Sequence, residues 1–169
     1  MRRRQCRHTH LVVGACIGAL VFDHNYAAVV ACTTGAVAPD TVMIPPFIVD
    51  KLRGWQPLAQ QGPLLLLLKN LSHSVPLWMI LCIVGWYTHP LIFALAIGGL
   101  SHPLIDMFTH GNPELNEQDS RYFWPVQKNP WNIGTWDYRY RPGDLWPIKP
   151  LEKIVLVVCV VGIVYGLIY

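Results

Sequence analysis

The chain has 169 residues, of which 53% are hydrophobic and only 14% are charged, and its net charge is +3. Soluble domains carry about 25% charged residues, so this composition indicates a membrane protein. Nucleic-acid binding is disfavoured, because the basic residues form no stripe with aromatic residues suited to base stacking. The five cysteines form no CxxC pair, which argues against a disulfide framework and against a four-cysteine zinc site.

The N-terminal third predicts a helical hairpin. A basic tail precedes two apolar runs, 11–22 and 26–38, which are separated by the polar residues 23–25. No small-residue cleavage site follows the first run, so we interpret it as a retained membrane segment rather than a signal peptide. The hairpin therefore covers 11–38, and a polar connector over 39–70 follows. Within that connector, "PLLLLL" could form a short helix or lie at the membrane interface.

The second half predicts another hairpin, over 71–110. Its turn is the "YTHP" sequence at 87–90, where Pro90 suits the first turn of the returning helix. Residues 111–150 are rich in Trp and Tyr, which favour the membrane–water boundary, and we expect them to form an interfacial cap. Residues 151–169 predict a C-terminal transmembrane helix. The expected fold is all-α: a polytopic integral membrane bundle of two hairpins plus a C-terminal helix, with an aromatic-rich cytoplasmic cap.

The basic residues orient this topology. All 13 Lys and Arg residues lie in the N-terminal tail, in 51–69 or in 121–153, and the two hairpin turns contain none. Both hairpins begin and end on the side where these residues lie. Positive charge marks the cytoplasmic side of a membrane protein, so this shared side is expected to be cytoplasmic. A fifth span then places Tyr169 on the opposite side.

Because each hairpin begins and ends on the same side of the membrane, the polar residues at the helix ends come to one membrane face. The candidates are His10, Asp40, His73, His102 and Asp106, with His110 left open. His102 and Asp106 are four residues apart and share one helix face. Histidine with carboxylate suits Zn²⁺, Mn²⁺ or Fe²⁺. A hydrogen-bonded structural pair without a metal is the alternative, and His8, His24 and His89 are interpreted as structural.

These landmarks resemble the YdjM-type membrane-bound metal-dependent hydrolases, a bacterial inner-membrane family. The matching residues are His10 in "THLVVG", Pro39 and Asp40 in "GAVAPD", Ser72, His73 and Ser74 in "LSHSVP", and Ser101, His102, Asp106 and Thr109 on the fourth helix. The Ser-His-x-x-x-Asp-x-x-Thr motif on that helix is the most specific part. The chain resembles a divergent member, because the family often has Pro-Asp-x-Asp-His where this chain has Thr41, Val42 and Met43 after Asp40. It also has Leu68, Lys69 and Asn70 where the family often has His-Arg-Gly.

The resemblance implies a metal-dependent hydrolase with a divalent ion held by His10, Asp40, His73, His102 and Asp106. Asp40 and Asp106 would act as the catalytic carboxylates around an activated water. The expected partners are membrane lipids and an interfacial or lipid-phase ester or phosphoester. A non-catalytic membrane protein that keeps a structural or metal-binding cluster is the second hypothesis. The sequence sets neither the metal identity nor the oligomeric state.

Overall fold

A computed structural model describes residues 7–23, 25–42, 44, 48, 63–109, 122–126, 157–162 and 164–165. Its helices with defined bounds are α1 (Arg7–Val21), α2 (Tyr26–Val42), α3 (Pro63–Ser72), α4 (Val75–Thr88) and α5 (Pro90–Thr109). Residues 157–162 are also helical. These described residues contain helices and turns without strands, which confirms the all-α prediction for this part of the chain.

A short turn joins α1 to α2. Asn25 caps α2, because its Oδ1 accepts a hydrogen bond of 3.1 Å from the main-chain nitrogen of Ala28. Asparagine is among the preferred residues at this position, since it satisfies one of the unpaired N–H groups of the first turn. Asp23 takes the left-handed conformation that the reversal needs, with φ of 30°. The two helices pack against each other along their lengths.

The second helical pair, α4 and α5, begins and ends with clear capping signals. Ser74 precedes α4, and its Oγ accepts a hydrogen bond from the nitrogen of Leu77. His89 separates the two helices, and Pro90 opens α5, where its missing N–H costs nothing. Gly85 of α4 lies against the backbone of α5, since a Cβ there would be 2.5 Å from the nitrogen of Phe93. The helices therefore meet closely near the turn.

The contact between α2 and α5 connects the two helical pairs. A Cβ on Gly35 would lie 1.9 Å from the carbonyl oxygen of Leu95, and a Cβ on Gly98 would lie 1.8 Å from that of Cys32. Small residues of this kind allow membrane helices to approach backbone to backbone. The buried side chains beside the contact are also small, among them Ala28 and Ala94. This close approach places the end of α2 directly against the second half of α5.

One described helix is long and apolar enough to cross a membrane, over Pro90–Met107, and half of that window is buried by the rest of the protein. The apolar stretches Thr9–Val21 and Val75–Thr88 are shorter. At a rise of 1.5 Å per residue, α4 spans about 21 Å, below the roughly 30 Å of a bilayer core. The polytopic arrangement therefore stays a prediction. Most of the predicted cap, 111–150, lies outside the described residues.

Candidate metal centre

The residues predicted to form a site meet at one end of the helices. His10 lies near the start of α1 and Asp40 near the end of α2, whereas His73 occupies the turn between α3 and α4. His102 and Asp106 lie on the second half of α5. All five are buried, with exposed fractions between 1% for His102 and 8% for Asp40. Buried ionisable residues are costly unless they are paired or bind a metal, so this arrangement calls for a partner.

The Asp106 carboxylate lies at the centre of the cluster, with three imidazoles around it. Its Oδ1 is 3.2 Å from Nε2 of His10. Its Oδ2 is 3.3 Å from Nε2 of His102 and 3.6 Å from Nε2 of His73. Each histidine therefore presents the same ring nitrogen to the same carboxylate, although the three rings come from different elements of the fold.

The tautomer of His102 follows from its hydrogen bond to α2. Its Nδ1 lies 2.7 Å from the carbonyl oxygen of Ala36, which can only accept, so Nδ1 carries the proton. In the neutral ring the lone pair is then on Nε2, which faces Asp106 and lies 3.8 Å from Oδ1 of Asp40. That nitrogen makes no hydrogen bond to the described residues. A lone pair facing carboxylate oxygens is repulsive unless a proton or a cation lies between them.

His73 repeats this arrangement on a different element. Its Nδ1 lies 3.1 Å from the carbonyl oxygen of Lys69 and 2.9 Å from Oγ of Ser72. Ser72 donates its own hydroxyl proton to the same carbonyl, so Nδ1–H of His73 is a donor. Burial lowers the pKa of His73 to about 3, against the opposing effect of the nearby Asp106 charge. The ring is therefore neutral at physiological pH, and its Nε2 lone pair faces Asp106.

Ring packing holds the three imidazoles together. His10 stacks on His102 with a centroid separation of 3.8 Å and an interplanar angle of 20°. His73 meets His102 edge to face at 5.1 Å. Two stacked rings at this distance would repel each other if both were protonated. The packing therefore disfavours a state in which His10 and His102 are both protonated, and a neutral ring is the form that binds metal.

The ligand atoms fit a single metal ion. Two groups have their candidate ligand atoms within 4.8 Å of one another: His10, His102 and Asp106, and then Asp40, His73 and His102. The two groups share His102, which can offer only Nε2 because Nδ1 is bonded to Ala36. One ion is therefore the simplest occupant. Ligand atoms around a tetrahedral zinc lie about 3.3–3.5 Å apart, and the three Asp106–histidine distances above are close to that spacing.

Among the remaining histidines, the structure describes the side chain of His89, which does not join the cluster. His89 is exposed in the turn at the opposite end of α4. His110, His24 and the side chain of His8 lie outside the described residues. A contribution of His110 to the cluster therefore stays open. Sequence reasoning missed the groups that orient the ligands, namely the carbonyls of Ala36 and Lys69. Main-chain acceptors leave no signature in a sequence, and only the pairing of helices reveals them.

These features define a helical protein with a buried histidine–aspartate cluster that could hold a metal ion. A family model described as YdjM inner membrane protein matches residues 6–169. The chain therefore belongs to the YdjM inner membrane protein family, which confirms the resemblance read from the motifs. Comparison with the curated proteins and with the solved structures gave no match.

Proposed function

We propose that this protein is an integral inner-membrane hydrolase that uses one divalent metal ion to cleave an ester or phosphoester at the membrane interface. The observation that supports it best is the orientation of the imidazoles. His102 and His73 each donate Nδ1–H to a main-chain carbonyl and turn Nε2 toward one carboxylate. Histidine ligands of metals are typically fixed in this way by their second nitrogen.

The charges of the cluster also support a divalent ion. Three neutral imidazoles and two carboxylates carry a charge of about −2, which a divalent cation would balance inside a low-dielectric site. If protonated imidazoles balanced the carboxylates instead, the stacked rings of His10 and His102 would carry like charges in contact. The metal-bound state is therefore the one in which the buried groups are best compensated. The ligand types fit Zn²⁺, Mn²⁺ or Fe²⁺.

The two carboxylates are suited to different roles. Asp106, which faces three imidazoles, would hold the ion together with His10, His73 and His102. When bound, the ion would act as a Lewis acid and lower the pKa of a coordinated water to about 7. Asp40 lies farther out, 3.8 Å from His102, and its side chain is the most exposed of those that form ion pairs in the cluster. In this proposal it would accept the proton of the water as a general base.

The position of the cluster supports a substrate at the membrane surface. The ligands lie near the ends of apolar helices, and α5 is long enough to cross a bilayer. A substrate whose polar group sits at the headgroup level could reach them without entering the hydrocarbon core. The distribution of the 13 basic residues supports the cytoplasmic side for this end, and anionic lipids of that leaflet would be attracted to it.

Metal analysis of detergent-purified protein tests the proposal. We expect about one ion of Zn, Mn or Fe per chain, as for a mononuclear site. The same protein should hydrolyse a chromogenic ester or phosphodiester in mixed micelles, and chelation should abolish the activity. Asp40→Asn should keep the ion but lower the hydrolysis rate by about 10²–10⁴-fold, the usual contribution of a general base. A folded protein that takes up no ion after incubation with Zn²⁺, Mn²⁺ and Fe²⁺ would contradict the proposal.

A second candidate function is a membrane protein whose cluster is structural. The observation that favours it is the absence of the second Asp and His that often follow Asp40 in the family, since Val42 and Met43 take those positions. In that case protons rather than a metal would hold the imidazoles against Asp106. Such a protein would unfold at the same temperature with and without chelator.

A further inference from the structure

We infer that Trp78 is a positioning residue of the cluster, which sets the distance between the His73 ring and the two ligands on α5. The inference rests on the proposed metal site for its functional meaning, although the geometry that supports it is independent of any metal. Trp78 is buried in the first turn of α4, five residues after His73. Its side chain reaches from the turn that carries His73 to the backbone of α5.

One edge of the indole holds the His73 turn. Nε1–H of Trp78 donates a hydrogen bond of 2.7 Å to the carbonyl oxygen of Ser72. That carbonyl belongs to the last residue of α3, where the helix leaves its terminal carbonyls without intrahelical partners. It is also the carbonyl of the peptide bond that leads into His73. The indole therefore fixes the orientation of the backbone from which the His73 side chain projects.

The opposite edge of the indole lies against α5. A Cβ on Gly99 would be 2.2 Å from Cζ3 of Trp78 and 2.5 Å from Cη2, so the ring packs directly on the main chain there. Gly99 precedes His102 by three residues, about one helical turn. The indole therefore acts as a spacer of fixed width between the peptide that carries His73 and the helix that carries His102 and Asp106.

Two other hydrogen bonds at the start of α4 run in a different direction. Oγ of Ser74 donates to the carbonyl of Trp124, and the nitrogen of Val75 donates to the carbonyl of Tyr122, each at 2.7 Å. These bonds join the turn to residues 122–126 rather than to α5. Among the ion-pair distances to Asp106, the one from His73 is the longest, at 3.6 Å. It is therefore the distance that should respond first when the spacer is altered.

Trp78→Phe tests the inference, because it keeps an aromatic ring against Gly99 and removes the N–H donor. We expect the Kd for Zn²⁺, measured by competition with a chromophoric chelator, to rise about tenfold, the lower range for groups that orient a ligand. The visible spectrum of the Co²⁺-loaded protein should shift as the His73 ring changes its orientation. If the phenylalanine variant folds poorly, 3-benzothienylalanine at position 78 replaces it in the experiment, because this residue has the shape of tryptophan without the N–H. It should give the same changes in Kd and in the Co²⁺ spectrum.

Two controls separate positioning from packing. Trp86→Phe alters an exposed tryptophan on the same helix, whose ring contacts Phe93 at 5.1 Å, and should leave the Kd unchanged. Phe93→Leu removes that contact and the one with Phe22. It should lower the thermal unfolding temperature while leaving the Kd within twofold of wild type. An unchanged Kd and Co²⁺ spectrum in both position-78 variants would overturn the inference.

A metal-free measurement keeps the inference distinct from the proposed function. In protein labelled with ¹⁵N-histidine, Nδ1–H of His73 should exchange slowly with solvent, because it is buried and bonded to Lys69. In Trp78→Phe this exchange should be at least several-fold faster, and in Trp86→Phe it should not change. If wild type binds no ion but shows this difference, the hydrolase proposal fails and Trp78 still positions His73. Equal exchange in the three proteins overturns the inference.

Discussion

His73 and His89 lie just before and just after the same helix, α4, and their environments are opposite. His89 is exposed, and its Nδ1 accepts a hydrogen bond of 3.1 Å from the nitrogen of Leu91, so it serves as a cap. His73 is buried, donates from Nδ1 to Lys69 and turns Nε2 toward Asp106. The comparison shows that the identity of the residue does not make a site. Whether Nε2 of a histidine is available as a ligand depends on the surroundings of the ring and on the group that Nδ1 contacts.

The same contrast holds for the two ends of the helical assembly. The end that contains His73 holds the buried polar and charged side chains of the described residues: Thr9, His10, Asp40, Ser72, His73, Ser74, Ser101, His102 and Asp106. Nearer the opposite end, the buried cluster consists of Ala28, Cys32 and Ala94. Among the described residues, the buried polar and charged side chains therefore lie at this one end of the helices. Polar residues at the other end, such as Asp23 and Asn25, are exposed.

The largest expected effect belongs to Asp106→Asn at the polar end. The change keeps the shape and removes the charge that faces three imidazoles, so the affinity for Zn²⁺ should fall by more than about 100-fold, beyond the range for outer-shell groups. Titration with a competing chelator measures it.

The metal-free form of this variant distinguishes the two candidate functions. If the cluster binds a metal, the Asp106 carboxylate of the metal-free wild type faces imidazole lone pairs and is repelled by them. The neutral amide removes this repulsion, so the metal-free variant should unfold at the same temperature as metal-free wild type or higher. If protons hold a structural network, an uncompensated buried charge remains, and the loss should be about 3–5 kcal/mol. A large loss of metal-free stability with unchanged metal content would refute the metal site.

A second prediction compares His73→Ala with His89→Ala, at the two ends of α4. Removing His73 takes away one of the imidazoles that face Asp106, and the affinity for Zn²⁺ should fall by about 100-fold, comparable to the stronger effects of ligand-orienting residues. Removing His89 deletes an exposed cap and should leave metal content unchanged. Elemental analysis of the two variants beside wild type checks both. Equal metal loss in the two would show that the contrast between the ends is irrelevant to binding.

Much of the polar end could be predicted from the sequence, for identifiable reasons. The spacing of His102 and Asp106 places them on one helix face, and Pro90 marks the start of α5. Hairpin parity then indicated that His10 and Asp40 would be near them. Distances of 3.2 Å from His10 to Asp106 and 3.8 Å from Asp40 to His102 agree with that convergence.

What the sequence did not reveal depends on contacts between distant segments. Neither the contact of Gly35 with Leu95 nor that of Gly98 with Cys32 follows from periodicity, because a glycine facing a helix looks the same as one facing lipid. The hydrogen bond from Trp78 to Ser72 could not be predicted from the sequence either, because its acceptor is a main-chain carbonyl. The sequence of α3 also does not decide between a short helix and an interfacial segment. A run of leucines is compatible with either.

The smallest expected difference concerns the caps at the two ends. Ser74 is fully buried, accepts from the nitrogen of Leu77 and donates to the carbonyl of Trp124. Ser74→Ala should lower the free energy of unfolding by about 2 kcal/mol, because it removes a cap and leaves a partly buried carbonyl without its donor. Asn25→Ala at the exposed end removes a cap alone and should cost about 1 kcal/mol. Thermal unfolding in detergent compares them, and a greater loss from Asn25→Ala would reverse the contrast.

The glycine contact between α2 and α5 has a consequence for biogenesis. α1 packs on α2, and α4 packs on α5, through segments that follow one another during synthesis. The contacts of Gly35 with Leu95 and of Gly98 with Cys32 join partners that are far apart in the chain. His10 and Asp40 belong to the earlier pair, whereas His102 and Asp106 belong to the later one. The cluster is therefore completed only when α2 meets α5, so that uptake of an ion by the proposed site would report the docking of the two helical pairs.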